Sequence, residues 1–411
     1  MNNAERLLPL RNKEFRFFLG MRTSLTIAYQ IQAVVCGWEI FKITNDPLSL
    51  GLIGLAEAIP AISIALYAGH LADKSNKRNL LLWTITGFLL CSIGLAWVTS
   101  DGFRSMQTDT MVVNLMYLFI FLSGFARGFY SPTGFSFIPQ LVPRTQLSHA
   151  TTLNSTFWQF SAILGPAMGG FLYAGFGISG AMMVVLFFSL ASLFSTANIG
   201  SKPVVQLGNK EPIGERLREG LRFVFSNKII LNALALDMFS VLFGGAVALL
   251  PVFADQILFV GPQGLGMLRA APSVGAVITM SWLSLRHVPG KAGTTLMWAV
   301  ACFGVSILLF GISRNFYLSL FLLFLSGAFD SVSVIIRANI IQLLTPDEMR
   351  GRVSAVNSMF IGSSNEIGAF ESGVTARWMG TVGSVVFGGT MTLLIVGYTA
   401  VKAKKLKAFH Y

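Results

Sequence analysis

Apolar segments of about 20 residues or more, each long enough to cross a bilayer as a helix, recur along almost the whole 411-residue chain. We place twelve of them at residues 15–41, 49–71, 79–99, 111–140, 148–174, 178–199, 228–257, 263–285, 292–312, 316–344, 352–376 and 382–401. Only 12% of the residues are charged, against about 25% in an ordinary soluble domain. Because lipid offers no hydrogen-bond partner to open backbone, the sequence predicts an all-α membrane protein with twelve transmembrane helices and excludes a soluble enzyme.

The distribution of Lys and Arg predicts the orientation in the membrane. With twelve spans both termini lie on one side, and the tails and loops of that side carry 22 of the 30 Lys and Arg residues. The loops of the opposite side carry 4. Basic residues accumulate on the cytoplasmic side, so we expect both termini to lie in the cytoplasm beneath an inner (plasma) membrane. The net charge of +12 therefore indicates topology rather than nucleic-acid binding.

The two halves of the chain are weakly similar. When the sequence is shifted by 203 residues, Gly165 meets Gly368 and other small residues of the same segments coincide in order. A polar stretch separates the halves, and its GERLREGLRFVF portion predicts a short amphipathic helix on the cytoplasmic membrane surface. We expect a six-helix bundle at 1–199, a cytoplasmic linker at 200–227 and a second six-helix bundle at 228–411. Such repeats are typical of transporters whose halves rock about a central cavity.

A ten-residue motif lies between the second and third segments. It reads Gly69-His70-Leu71-Ala72-Asp73-Lys74-Ser75-Asn76-Lys77-Arg78. This loop resembles the signature G-x-L-a-D-[RK]-x-G-[RK]-[RK] of the major facilitator superfamily, except that Asn76 replaces the usual Gly. Asn tolerates a left-handed backbone, so we expect the tight turn to persist.

The resemblance implies the major facilitator fold and a charge latch at the cytoplasmic side, in which Asp73 faces a helix N-terminus or the basic pair Arg350 and Arg352. The alternative is a solvated basic turn that only sets topology. The predicted gating residues are Gly69, Asp73, Lys74, Lys77, Arg78, Arg350 and Arg352.

A second motif lies in the fifth segment, where the chain carries a G-P-x-x-G-G run. Its members are Gly165, Pro166, Gly169 and Gly170. Pro bends a membrane helix, and glycines let a neighbouring helix approach closely. The run resembles the motif of exporters in this superfamily. The entry at 10–16 and the loop at 345–353 are similar to the branch that contains enterobactin and macrolide exporters, which implies export but does not specify the substrate.

Charged side chains inside a membrane are costly, which makes them functional candidates. In the superfamily, segments one, four, seven and ten line the cavity, so the resemblance implies that Arg22, Arg127 and Arg337 face the substrate pathway. Aromatic residues on cavity or interface segments are candidates for stacking on a substrate, or else only pack helices together. They are Phe129, Tyr130, Phe135, Trp158, Phe239 and Phe243.

The carboxylates inside the spans are candidates for proton coupling. They are Asp237, Asp330, Glu57 and Glu366. A carboxylate can carry a proton when alternating access moves it between a dry site and the neighbourhood of an Arg. Symmetry-related positions carry opposite charges, as at Arg22 and Asp237, so the alternative is that these groups form fixed ion pairs that hold helices together.

The chain shows no phosphate-binding G-x-x-x-x-G-K-[ST] run, no metal-ligand spacing, and three Cys that all lie in apolar segments. We therefore expect no enzyme activity and no cofactor. The expected function is a monomeric secondary transporter that exports a small amphiphilic molecule, such as a drug or siderophore, in exchange for protons. The alternatives are a flippase of membrane lipid or lysophospholipid, a solute importer, and a membrane-embedded enzyme or scaffold.

Overall fold

The computed structural model describes residues 8–203, 213–285 and 291–410, and within these ranges it contains helices and connections but no strand. The principal helices are α1 (Lys13–Thr44), α2 (Pro47–Lys74), α3 (Lys77–Val98), α4 (Asp109–Leu141), α5 (Leu147–Ala197), α6 (Ile213–Ser226), α7 (Lys228–Phe243), α8 (Gly261–Leu285), α9 (Ala292–Ile312), α10 (Phe316–Leu344), α11 (Arg350–Met379) and α12 (Thr381–Lys402). The prediction of an all-helical chain is confirmed for the described residues.

Eight helical stretches of the described chain are long and apolar enough to cross a membrane. They are Pro47–Ile64, Lys77–Val98, Asp109–Leu141, Arg144–Ala197, Lys228–Ile257, Ala292–Ile312, Phe316–Leu344 and Thr381–Lys402. Helices α1, α8 and α11 are of similar length, 32, 25 and 30 residues, but are less apolar. The chain is thus a multi-pass membrane protein, and the count of twelve spans stays a prediction.

Asparagine side chains start several helices by accepting hydrogen bonds from exposed backbone N–H groups. Asn12 accepts from the N–H of Glu14 at the start of α1, and Asn227 accepts from two N–H groups at the start of α7. Asn315 does the same for α10. Because the first turn of a helix has no internal acceptor for these N–H groups, such caps stabilise each helix start by about 1 kcal/mol.

Helix α5 covers two predicted segments, and its backbone breaks at Gly177 in the predicted connection between them. Gly177 has φ 67° and ψ −171°, outside the helical region and open mainly to glycine. Another predicted segment, 228–257, is also interrupted. Helix α7 ends at Phe243, and short helical turns continue the path to Ile257.

The chain forms two compact units. The first contains Met1–Asn45 and Ala56–Asn209, and the second contains Asp46–Leu55 and Lys210–Tyr411. In the first unit α1 packs along α5, where Ser192 Oγ donates to the carbonyl of Met21 at 3.1 Å.

The second unit includes the short helix α6, which the sequence predicted as amphipathic. Val224 is fully buried against α7 and α11, and Leu217 and Leu221 pack beside it. Phe225, expected on the same apolar side, is 59% exposed instead. The apolar side of α6 therefore contacts neighbouring helices of its own unit.

Candidate functional site

A cavity of about 320 Å³ lies inside the first unit, between α1, α3, α4 and α5. Its volume is at the lower end of the range for small-molecule pockets, about 300–1,000 Å³. Its charged and aromatic lining consists of Arg22, Tyr29, Phe88, Arg127, Tyr130 and Trp158. Two of the three arginines that the sequence places on the substrate pathway thus line one cavity together.

Arg22 projects from α1 to the wall of this cavity. Its guanidinium carbon lies 5.2 Å from the centroid of the Tyr130 ring, and its buried Nε has no hydrogen-bond partner among the described residues. Gly134 of α4 leaves the space for this side chain, because a Cβ there would lie 2.6 Å from Arg22 Nη1. The guanidinium is therefore packed in place with one donor unused.

Arg127 of α4 is the second cation of the cavity. Its Nη1 donates to Glu57 Oε1 at 2.8 Å, and its guanidinium carbon lies 5.5 Å from the centroid of the Tyr29 ring. The Arg127 side chain stays 43% exposed, whereas the Glu57 side chain is 14% exposed. One carboxylate therefore balances one of the two arginines, whereas no described carboxylate pairs with Arg22.

Sequence reasoning missed Tyr29 and Phe88 as lining residues. Their rings stack with centroids 5.7 Å apart and an interplanar angle of 30°. Arg22, Leu25 and Tyr29 recur three and four residues apart along α1, so they share one helix face. That spacing was the signal available in the sequence.

Asp237 and Arg337 form a buried ion pair in the second unit, between α7 and α10. Asp237 is 6% exposed and Arg337 is 3% exposed. This geometry is that of the fixed ion pair weighed as the alternative to proton coupling at Asp237. The Arg337 guanidinium therefore contacts a carboxylate of its own unit.

The other carboxylate candidates are less enclosed. Asp330 on α10 and Glu366 on α11 are both half-buried. The Glu366 carboxylate lies close to Gly54 of α2, where a Cβ would be 3.7 Å from Glu366 Oε2. Their roles as proton carriers remain predictions.

The two phenylalanines predicted to meet substrate differ in their surroundings. Phe239 is 42% exposed on α7. Phe243, at the end of the same helix, contacts the Phe387 ring edge to face, with centroids 6.2 Å apart. Phe239 therefore keeps an open surface, whereas Phe243 packs a helix end.

The signature loop connects α2 and α3, but Asn76 is not left-handed as expected. Its φ of −65° and ψ of 113° are extended, and its side chain caps α3 by accepting from the N–H of Asn79. Its Nδ2 also donates to Ser201 Oγ at 2.7 Å and to the Lys202 carbonyl at 2.8 Å. The Asn76 amide therefore joins the turn to the chain that follows α5, a contact that a glycine could not make.

The remaining gating residues differ in their burial and contacts. Lys77 is buried, and Arg78 Nη2 donates to the carbonyl of Ala197 at 2.8 Å. Gly69 and Lys74 lie in the last two turns of α2, whereas the side chain of Asp73 lies outside the part of the chain that is described. The predicted latch residues of the second unit are at the start of α11. Arg352 forms an ion pair with Glu219 of α6, and Arg350 is the first residue of α11.

The G-P-x-x-G-G run of α5 lies against α1. All four residues, Gly165, Pro166, Gly169 and Gly170, are buried. A Cβ on Gly165 would lie 2.5 Å from the Cβ of Gln30, and one on Gly169 would lie 3.2 Å from the Cβ of Val34. The glycines thus allow a close approach of these two helices.

A polar cluster that the sequence did not indicate lies near the C-terminal end of α1. Glu39, 3% exposed, accepts from Arg104 Nη1 at 2.6 Å and from the hydroxyl of Tyr173 at 2.5 Å. These partners are 65 and 134 residues away along the chain, so no local pattern could have identified them.

Comparisons with known proteins identify a family model and several relatives. A family model described as transmembrane secretion effector matches residues 4–410. The enterobactin exporter EntS of Escherichia coli O1:K1 / APEC is 24% identical over 407 residues, which cover 97% of this chain and 94% of EntS. The uncharacterized MFS-type transporter YfiS of Bacillus subtilis (strain 168) is 23% identical over 385 residues, which cover 89% of this chain and 87% of YfiS.

A similar fold is found among solved structures. A bacterial homologue of the iron transporter ferroportin, in its inward-facing state, matches with a TM-score of 0.71 at 15% sequence identity. The match covers 96% of this chain and 98% of that protein. At such low identity the likeness concerns the fold alone.

Proposed function

Because this chain belongs to the transmembrane secretion effector family of the major facilitator superfamily, we propose that it exports a small amphiphilic organic molecule in exchange for protons. Proteins of this family and fold are transporters of small molecules and not enzymes. The observation that carries the proposal is the cavity of the first unit, where Arg22 and Arg127 lie among aromatic rings. Charges inside a membrane-spanning unit are costly, so they are kept where they serve a pathway.

Two features support export rather than import. The G-P-x-x-G-G run is typical of exporters, and in this chain it sets the contact between α1 and α5. The relative EntS is itself named as an exporter of enterobactin. A siderophore or a drug is accordingly the first class of substrate to test, and a lysophospholipid is the alternative.

The proposal includes the layout that transport by alternating access requires. Twelve spans form two six-helix bundles, 1–199 and 228–411, joined by the linker 200–227. Both termini lie in the cytoplasm, and one chain in the inner membrane is sufficient for function. The division of the chain into two compact units supports this layout.

Proton coupling is assigned first to Asp330. Asp237 is enclosed in its pair with Arg337, whereas Asp330 is half-buried, so water can reach it. Glu366 is the next candidate for the same reason. A proton can bind such a carboxylate when its surroundings are dry and leave it when an Arg lies close.

The test is proton movement in liposomes that contain the purified protein and an internal pH-sensitive dye. A catecholate siderophore, a macrolide, a cationic dye and a lysophospholipid are added in turn under a pH gradient. We expect a siderophore or macrolide to move protons, and Asp330→Asn to abolish this movement. Asp101→Asn, which removes an exposed carboxylate, should leave it unchanged.

Other outcomes contradict parts of the proposal. Substrate flux without proton movement would reject antiport. A response to lysophospholipid alone would reject the export of a drug or siderophore and favour the flippase.

A further inference from the structure

We infer that the cavity of the first unit binds an aromatic carboxylate, or the part of a larger substrate that carries one, with Arg22 as its counter-ion. This inference rests on the proposed transport function, because it names the chemical class that the cavity accepts. It depends on the charge and the shape of the described lining residues.

The charge of the cavity favours an anion. Arg22 has no carboxylate partner among the described residues, and its buried Nε makes no hydrogen bond. Arg127 has Glu57 at 2.8 Å, so this second arginine is already balanced. Arg22 is half-buried and its Nε is fully buried, so an unpaired charge here is costly, and a carboxylate that accepts from Arg22 would lower that cost. Because the single positive charge of Arg22 is not balanced by a described residue, we expect the cavity to prefer a ligand with one negative charge.

The rings of the cavity favour an aromatic ligand. Trp158 is 46% exposed and lines the cavity, so part of its ring is accessible to a ligand. Tyr130 lies under the Arg22 guanidinium, and the Tyr29–Phe88 stack forms a further part of the wall. Aromatic pairs gain energy beyond the area they bury when they stack offset or edge to face. A ring next to the carboxylate can therefore reach Trp158 while the carboxylate reaches Arg22.

The same lining disfavours the opposite charge. A cationic aromatic molecule could stack on Trp158, but it would enter beside Arg22 without a carboxylate to offset the repulsion. An anionic lipid headgroup would satisfy Arg22, but its aliphatic chain would make no ring stack. Matched probes can separate the aromatic anion from an uncharged aromatic molecule and from an anionic lipid.

The experiment measures binding to the purified protein in detergent by calorimetry, with no membrane gradient. The probes are 2-naphthoate, the neutral 2-naphthamide and the aliphatic anion lysophosphatidylglycerol. We expect 2-naphthoate to bind at least about tenfold more tightly than the amide, the factor for one charge-assisted hydrogen bond. It should also bind more tightly than the aliphatic anion.

Variants locate the site. Arg22→Gln should remove the preference for the acid over the amide, and Arg22→Lys should keep part of it. Arg16→Gln changes the same charge on an exposed position of α1 and should retain the full preference. Trp158→Ala, at a position that is 46% exposed, should weaken both naphthyl probes and spare the lipid.

Three results would overturn the inference. They are equal affinity of the wild-type protein for acid and amide, an unchanged preference in folded Arg22→Gln protein, and tighter binding of the lipid than of 2-naphthoate. Failure of the transport proposal is a separate result. If 2-naphthoate binds as expected but no compound of the transport panel moves protons in liposomes, the site stands and the antiport is rejected.

Discussion

Arg127 and Glu57 join α4 to α2 in the first unit, with Arg127 Nη1 donating to Glu57 Oε1 at 2.8 Å. The pair lies beside a close helix crossing. Gly124, one turn before Arg127, has no side chain, and a Cβ there would lie 2.6 Å from the carbonyl oxygen of Glu57 and 2.5 Å from Cγ of Pro60. The missing side chain at Gly124 thus brings the two helices close enough for the ion pair.

The second unit repeats this crossing with the charges exchanged. Gly327 of α10 lies directly against the carbonyl of Pro272 on α8. Arg269 lies three residues before Pro272, as Glu57 does before Pro60. Asp330 lies three residues after Gly327, as Arg127 does after Gly124. The carboxylate of the first unit, Glu57, is therefore on the earlier helix of its crossing, α2. That of the second unit, Asp330, is on the later helix, α10.

The exchanged charges predict that Arg269 and Asp330 stabilise each other. A double-mutant cycle with Arg269→Gln and Asp330→Asn should give a favourable coupling of about 0.5–1.5 kcal/mol in the free energy of unfolding. Unfolding of the purified protein in mixed detergent micelles measures it. The cycle with Glu57→Gln and Arg127→Gln is the matched control. Strictly additive effects at Arg269 and Asp330 would contradict the prediction.

Removal of one partner of the buried pair in the second unit should be costly. Asp237→Asn leaves the charge of Arg337, 3% exposed, without its carboxylate, and we expect a loss of about 3–5 kcal/mol in the free energy of unfolding. Replacement of both residues, Asp237→Leu with Arg337→Met, should recover most of that loss, because no buried charge remains. Asp109→Asn, at an exposed site, should change stability by less than about 0.5 kcal/mol. A double variant as unstable as the single one would refute this explanation.

The break in α5 should depend on glycine at one position only. Gly177 has φ 67°, so Gly177→Ala places a Cβ in a strained left-handed conformation and should cost about 1–2 kcal/mol. Gly175 lies on the same helix in open space without a positive φ, so Gly175→Ala should be neutral or slightly stabilising. Thermal unfolding of the two variants side by side tests this. Equal effects would mean that the backbone at Gly177 can relax to a helical conformation.

Glu14, which lies just before the first predicted span, should make stability depend on pH. Its Oε2 accepts from Lys202 Nζ at 2.6 Å and its Oε1 from the N–H of Gly200 at 3.0 Å. The bond from Lys202, with that from Gly200, lowers the pKa of Glu14 below its ordinary value of 4.5. The folded protein therefore holds this proton less tightly than the unfolded protein does. The stabilisation is complete above about pH 4.5 and is lost as the pH falls through the lower folded pKa.

The measurement for Glu14 is the difference in thermal midpoint between wild type and Glu14→Gln across this pH range. Because both side chains are more than a quarter exposed, the midpoint difference at neutral pH should correspond to less than about 1 kcal/mol in the free energy of unfolding. It should shrink as the pH falls below 4.5. A difference that grows on acidification would reverse the assigned sign.

Local patterns predicted the parts of this protein that depend on neighbouring residues. Long apolar segments predicted helices, and the signature loop with the G-P-x-x-G-G run indicated the superfamily that the family match then showed. The same patterns were wrong about the conformation of Asn76, since both a left-handed turn and an N-cap suit Asn. The predicted segment 228–257 is a span-length helical stretch as expected, but its regular helix ends at Phe243 and short helical turns follow.

The membrane-spanning character, the helical class and the family were determined by the sequence itself, because each follows from the sum of local terms along one segment or from a short motif. Which charges meet was decided only by the tertiary structure. Arg22 and Arg127 both carry a charge into the spans, yet among the described residues only Arg127 has a carboxylate beside it. Such contacts join residues far apart in the chain, and they depend on how closely two helices cross. At the Arg127–Glu57 pair, that distance is set by the missing side chain of Gly124.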